Sequence, residues 1–233
     1  MPDPIYSGNG SVELEDKIIT DTSIVNNPNV KCVYENLSKT VLKDILAGFS
    51  SSEVYNLRFT LDPNLPSDKE GNTKHISGND FLISINPNFI DDYYSKIWLA
   101  STFIHEAFHA QLFLKAQQTF GTQDFSRWPK PINDMDLQEL MNYYEQNSKD
   151  KNIWNSTQHS WMLNHLEQMA QQLQNYVSSI YPTTFNTNMS LGLKPYLDLM
   201  YKGLNNTTIY EEKSSTGYNF GDMNNLIVTT CNN

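Results

Sequence analysis

The chain has 233 residues, 39% of them hydrophobic and 12% aromatic, enough to bury a sizeable core within one domain. A formal net charge of −10 and a pI near 4.8 give no basic footprint for nucleic acid or an anionic membrane surface. Arginine stands only at Arg58 and Arg127, which argues against a bidentate phosphate clamp, and no apolar run approaches the roughly 18–20 residues of a membrane span.

In chain order, residues 1–26 are polar and rich in Gly, Pro and Asn, and read as an arm with one strand near KIIT. The remainder, 27–233, reads as a single domain. Asn27 as cap and Pro28 at the first helical position open a helix whose Val30, Val33, Leu37, Val41 and Ile45 recur at helical spacing, with Gly48 to close it. VYNLRFTLDP (54–63) alternates and is rich in β-formers, so it predicts a strand. SDKEGNTKHISGND reads as a turn-rich connection in which His75 is solvated, and FLISINPNF (81–89) as a second strand, one that could border a cleft. A long helix is expected from a cap at Asp91 or Asp92 to Gly121. After a loop over 122–135 come a short helix at MDLQELMNYYEQN, a long one over 156–180, and a last one at LKPYLDLMYKGL. Helices segregated from a few strands indicate an α+β fold, a small antiparallel or mixed sheet packed on helices.

The long central helix carries STFIHEAFHAQL, the pattern HExxH. His105 and His109 are four apart and lie on one helix face, where both imidazoles can reach a single zinc ion at roughly 2.0–2.1 Å. Glu106 projects about 100° away around the axis, beside the metal and not on it. From there it can take a proton from a water that the metal has made acidic. Ile97, Ile104, Phe108 and Leu112 form an apolar stripe next to the histidine face, so one side of the helix can enter the core while the other faces a cleft. Zinc in catalytic sites takes three protein ligands, and several residues compete for the third place. The extended form HExxHxxGxxH is absent. GTQD is a partial match to the aspzincin pattern and would make Asp124 the ligand, although Gly121 is equally a helix C-cap. Glu167 would serve as the later-helix glutamate of thermolysin-like enzymes. His159 and His165 lie six apart and point about 120° from each other, so only one of them joins the site. Tyr143, Tyr144, Tyr196 and Tyr201 are candidates to stabilise an oxyanion, or equally core residues.

KCVYENL, LASTFIHEAFHA, QHSWMLNHLEQMA and YLDLMYKGL together resemble a family of bacterial zincin-type domains, loosely SprT-like metallopeptidases, found at the C-terminal end of larger secreted or surface proteins. In that family a histidine followed by xxMAxxY stands on a second helix. Here His159 and Met162 take those places, with Leu163 and Leu166 where Ala and Tyr would be. The resemblance spans roughly residues 30–205 and implies a zincin-like fold with the HExxH helix central. It also implies one zinc ion held by His105, His109 and His159, Glu106 as general base, and a peptide or protein substrate. A secreted or exported location fits that context, with a cytoplasmic one left open, since MPDPIYSGNG has neither the basic nor the apolar part of a signal peptide. The rival expectation is a non-catalytic interaction domain stabilised by metal on the same scaffold. Cys32 and Cys231 sit in no CxxC pair; they either form one disulfide, which implies an oxidising compartment, or are unrelated thiols.

Overall fold

The computed structural model describes residues 17–52, 54–77, 79–90, 95–120, 158–202, 226–228 and 230–231. The short helix expected over 135–147 and the loop before it lie outside these. The expected strand at KIIT is present as β1 (Ile18–Thr20), followed by the short helix α1 (Thr22–Val25). Helix α2 (Pro28–Leu37) starts as its sequence specifies: the Asn27 side chain accepts from the Val30 amide at 3.2 Å, and Pro28 gives up no hydrogen bond in the first turn. It runs through one π-type turn (Ser38–Leu42) into α3 (Lys43–Ile45), and α4 (Ala47–Ser50) follows. Ser38 and Thr40 donate back to the carbonyls of Tyr34 and Asn36, both at 2.8 Å, a form of side-chain bonding that loosens the helical ladder.

Three more strands follow, β2 (Asn56–Leu61), β3 (Gly71–Ser77) and β4 (Asp80–Ile85), and together with β1 they form a mixed sheet in the order β1–β2–β4–β3. The β1–β2 and β2–β4 pairs are parallel, and β3 is antiparallel to β4 with a register shift between His75 and Ser77. The architecture is therefore α+β with a small mixed sheet. Two sequence expectations change. The turn-rich connection holds a strand, with His75 paired to Phe81 in it, and FLISINPNF, read as a strand to residue 89, ends as one at Ile85 before a 3-10 turn (Pro87–Phe89). Among the described residues β4 is flanked on both sides, so its backbone groups are taken and it is not free to pair with an extended peptide; the edge strands are β1 and β3.

Helix α5 (Lys96–Phe120) is the central element, followed by α6 (Gln158–Ile180), α7 (Pro182–Asn188) and α8 (Lys194–Lys202). α5 packs on β3, β4, α2 and α6, and α6 packs on α8. Leu57 and Phe59 on β2, with Phe81, Ile83 and Ile85 on β4, alternate toward the helices. There Tyr34, Phe59 and Phe103 form a cluster with ring centroids 5.1–5.9 Å apart. Ile97, Ile104 and Phe108 are buried, as the stripe predicted, while the Leu112 side chain lies outside the described residues. The start of α5 is set by Ser95, whose hydroxyl accepts from the Ile97 amide at 3.2 Å and from the Val228 amide at 3.0 Å and donates to the Leu226 carbonyl at 2.7 Å. Cys32 and Cys231 are joined in a disulfide with Cα atoms 6.3 Å apart, so the later segment is tied to α2 as well as to α5.

Candidate metal centre

In the middle of α5, the i, i+4 spacing stacks His105 and His109 so that their Nε2 atoms approach to 2.9 Å, with ring centroids 4.7 Å apart. Two ligands at roughly 2.0–2.1 Å from a tetrahedral ion stand about 3.3 Å apart, so a small outward relaxation would seat one. Burial drives the His105 pKa from its ordinary 6.5 down to about 4. Burial and the neighbouring imidazole push His109 well below the ordinary value. Both rings are therefore neutral at neutral pH, the form that offers a lone pair to a metal. The buried Nδ1 of His105 finds no hydrogen-bond partner among the described residues.

Glu106 is 6% exposed and turns toward the sheet. Thr73 on β3 donates its hydroxyl to Glu106 Oε2 at 2.7 Å and lies 2.9 Å from the Glu106 carbonyl oxygen. Burial raises the Glu106 pKa to about 7, against lowering by the Thr73 hydrogen bond and the Lys69 charge and a further rise from Glu70. One helical turn earlier, Thr102 donates to Glu70 Oε2 at 3.0 Å, beside a shallow recess lined also by Trp98 and Phe89. Gly71 lies flat against the same carboxylate. A Cβ there would stand 2.8 Å from Glu106 Cγ and 3.0 Å from both Glu106 Oε1 and Thr102 Cγ2. No bulkier residue fits at this position of the strand without moving Glu106.

No family model, curated protein or solved structure matches the chain.

The fit to a metal is thus a pair of converging neutral imidazoles with a buried carboxylate beside them. Among the described residues, no group of three or more His, Cys, Asp and Glu side chains gathers into a complete ligand set. His159 and His165 stand in the first turns of α6, which packs on α5, but their side chains lie outside the described residues, as does Asp124. Glu167 is exposed on α6. Tyr196 and Tyr201 are core residues of α8, 1% and 3% exposed, and burial pushes the Tyr196 hydroxyl up to about 12. Tyr143 and Tyr144 fall outside the described residues. Sequence reasoning missed Gly71 and Thr73 because their strand was read as a connection; the only local signal is that both fall on one face of an extended segment.

Proposed function

We propose that the protein is a zinc-dependent metallopeptidase of zincin type, and the observation that carries the reading is the 2.9 Å convergence of His105 and His109 Nε2 beside the buried Glu106. His105 and His109 would hold the ion, with His159 as third ligand from α6. When bound, zinc would polarise the scissile carbonyl and make the attacking water acidic. Glu106 is the general base: its buried carboxylate next to His105 is placed to take the water's proton and return it to the leaving amine. The mixed sheet with its antiparallel edge strand leaning on the HExxH helix is compatible with a zincin-like fold, and β3 would be the strand along which an extended peptide lies. The Cys32–Cys231 disulfide supports an exported location, since such bonds persist in oxidising compartments. Among the described residues no helix is long and apolar enough to cross a membrane.

The test is zinc content of the purified protein beside His105→Ala and His159→Ala, with casein hydrolysis by the wild type and by Glu106→Gln. One zinc per chain, lost in both histidine variants, and hydrolysis lost in Glu106→Gln with zinc retained are expected. Zinc without hydrolysis in the wild type would favour the non-catalytic scaffold, and no zinc even after reconstitution would refute the reading.

A further inference from the structure

We propose that Thr73 is a positioning residue that fixes the Glu106 carboxylate at the metal centre, with Gly71 as its steric counterpart; the inference rests on the hydrolase reading above. A glutamate side chain has three free torsions, and pinning it otherwise costs rotamer entropy. Thr73 removes that freedom at its origin. Its hydroxyl lies 2.7 Å from Glu106 Oε2 and 2.9 Å from the carbonyl of the same residue, so one group ties the side chain to its own main chain. The tether is itself stiff: Thr73 is β-branched, 6% exposed and held in the ladder opposite Ile83.

Two residues earlier on the same face of the strand, the bare Cα of Gly71 allows an approach so close that a Cβ would meet Glu106 Cγ at 2.8 Å. Oε2 is thereby anchored to the sheet, while no hydrogen bond among the described residues reaches Oε1. Oε1 is then the oxygen that exchanges the proton. A hydrogen bond made only for packing would show in stability alone, whereas a positioning bond shows wherever a ligand needs Glu106 in place.

Acetohydroxamate separates the two without knowledge of the natural substrate. It chelates zinc and hands its hydroxyl proton to a carboxylate beside the metal, so its affinity reads the position of Glu106. The full chain, loaded with zinc, is compared with Thr73→Val, Thr73→Ser and Gly71→Ala by zinc content, melting temperature, acetohydroxamate calorimetry and casein hydrolysis. Thr73→Val is expected to keep its zinc and KM while losing about 10–100-fold in hydroxamate affinity and kcat, the range for residues that orient a metal centre through another group. Thr73→Ser should recover most of the loss, and Gly71→Ala should reproduce it by pushing the Glu106 side chain off its place against the strand. Wild-type affinity and kcat in Thr73→Val, or a loss that Thr73→Ser does not recover, would overturn the inference while leaving the hydrolase reading intact. If Thr73→Val is unfolded, Gly71→Ala decides by the same criterion. A wild type that binds neither zinc nor acetohydroxamate would overturn the hydrolase reading, and this inference with it.

Discussion

Breaking the Cys32–Cys231 disulfide should be the most costly covalent change available to this fold. The bond closes a loop with a sequence separation of 199. On chain-entropy grounds, a loop of that length restricts the unfolded chain by about 5 kcal/mol at 25 °C. Residual structure in the denatured state lowers the realised value, so about 2–5 kcal/mol is expected. The native side loses little directly, because Leu226 stays buried and the Ser95 contacts to Leu226 and Val228 do not depend on sulfur. Urea unfolding followed by circular dichroism would compare the oxidised protein, the same protein with dithiothreitol, and a Cys32→Ser/Cys231→Ser double variant, with free thiols counted in each. Both bond-free samples should unfold at lower urea and agree with each other. A difference below about 1 kcal/mol from the oxidised protein would refute the loop-closure argument.

Other perturbations have equally definite outcomes. Phe103 is fully buried with its ring 5.8–5.9 Å from those of Tyr34 and Phe59, so Phe103→Ala should destabilise by about 3–5 kcal/mol in the same urea assay. Ser95→Ala removes three hydrogen bonds at the start of α5 and should cost about 1–3 kcal/mol, with amide exchange faster in the first turn than at residues 103–110. In the metal-free protein the acid response has two opposed parts. His105, depressed to about 4, and His109, pushed well below its ordinary value, contribute stability above pH 6.5 that is lost as pH falls through their folded values. Glu106, raised to about 7, contributes stability below pH 4.5 that is lost as pH rises through 7. The His105 and Glu106 contributions are each about 3 kcal/mol at their limits, and the histidine and carboxylate parts oppose each other between pH 4.5 and 6.5. Metal-free Glu106→Gln should therefore lose stability on acidification more steeply than the metal-free wild type; parallel curves from pH 7 to 4.5 would refute the assignment.

What could be read from the sequence follows from where burial imposes a period. α5 and α6 are long enough for their apolar residues to repeat many times, and α2 carries its own start signals in Asn27 and Pro28. The two imidazoles were legible for the same reason, since helical spacing fixes their relation without reference to the rest of the fold. β3 was not. One of its faces leans on a carboxylate and a threonine instead of an apolar core, and its outer edge has no neighbouring strand among the described residues. Ile76, its one aliphatic residue, is 53% exposed. Its sequence, GNTKHIS, therefore lacks the alternation by which a half-buried strand is recognised. α7 was missed because PTTFNTN, seven residues, carries little apolar pattern, and Pro182 at its start reads equally as a turn.

The Ser95 hydroxyl reaches partners 131 and 133 positions further along the chain. A polypeptide emerging from the ribosome at 5–20 residues per second therefore presents the HExxH segment several seconds before the residues that complete the start of its helix. Contacts of such separation form late, because the intervening chain must be ordered first. A nascent chain ending near residue 200 would carry both imidazoles and Glu106 on a helix with an unfinished first turn. Until synthesis has passed Val228, the first turn of that helix therefore lacks the partners that hold Ser95 in place.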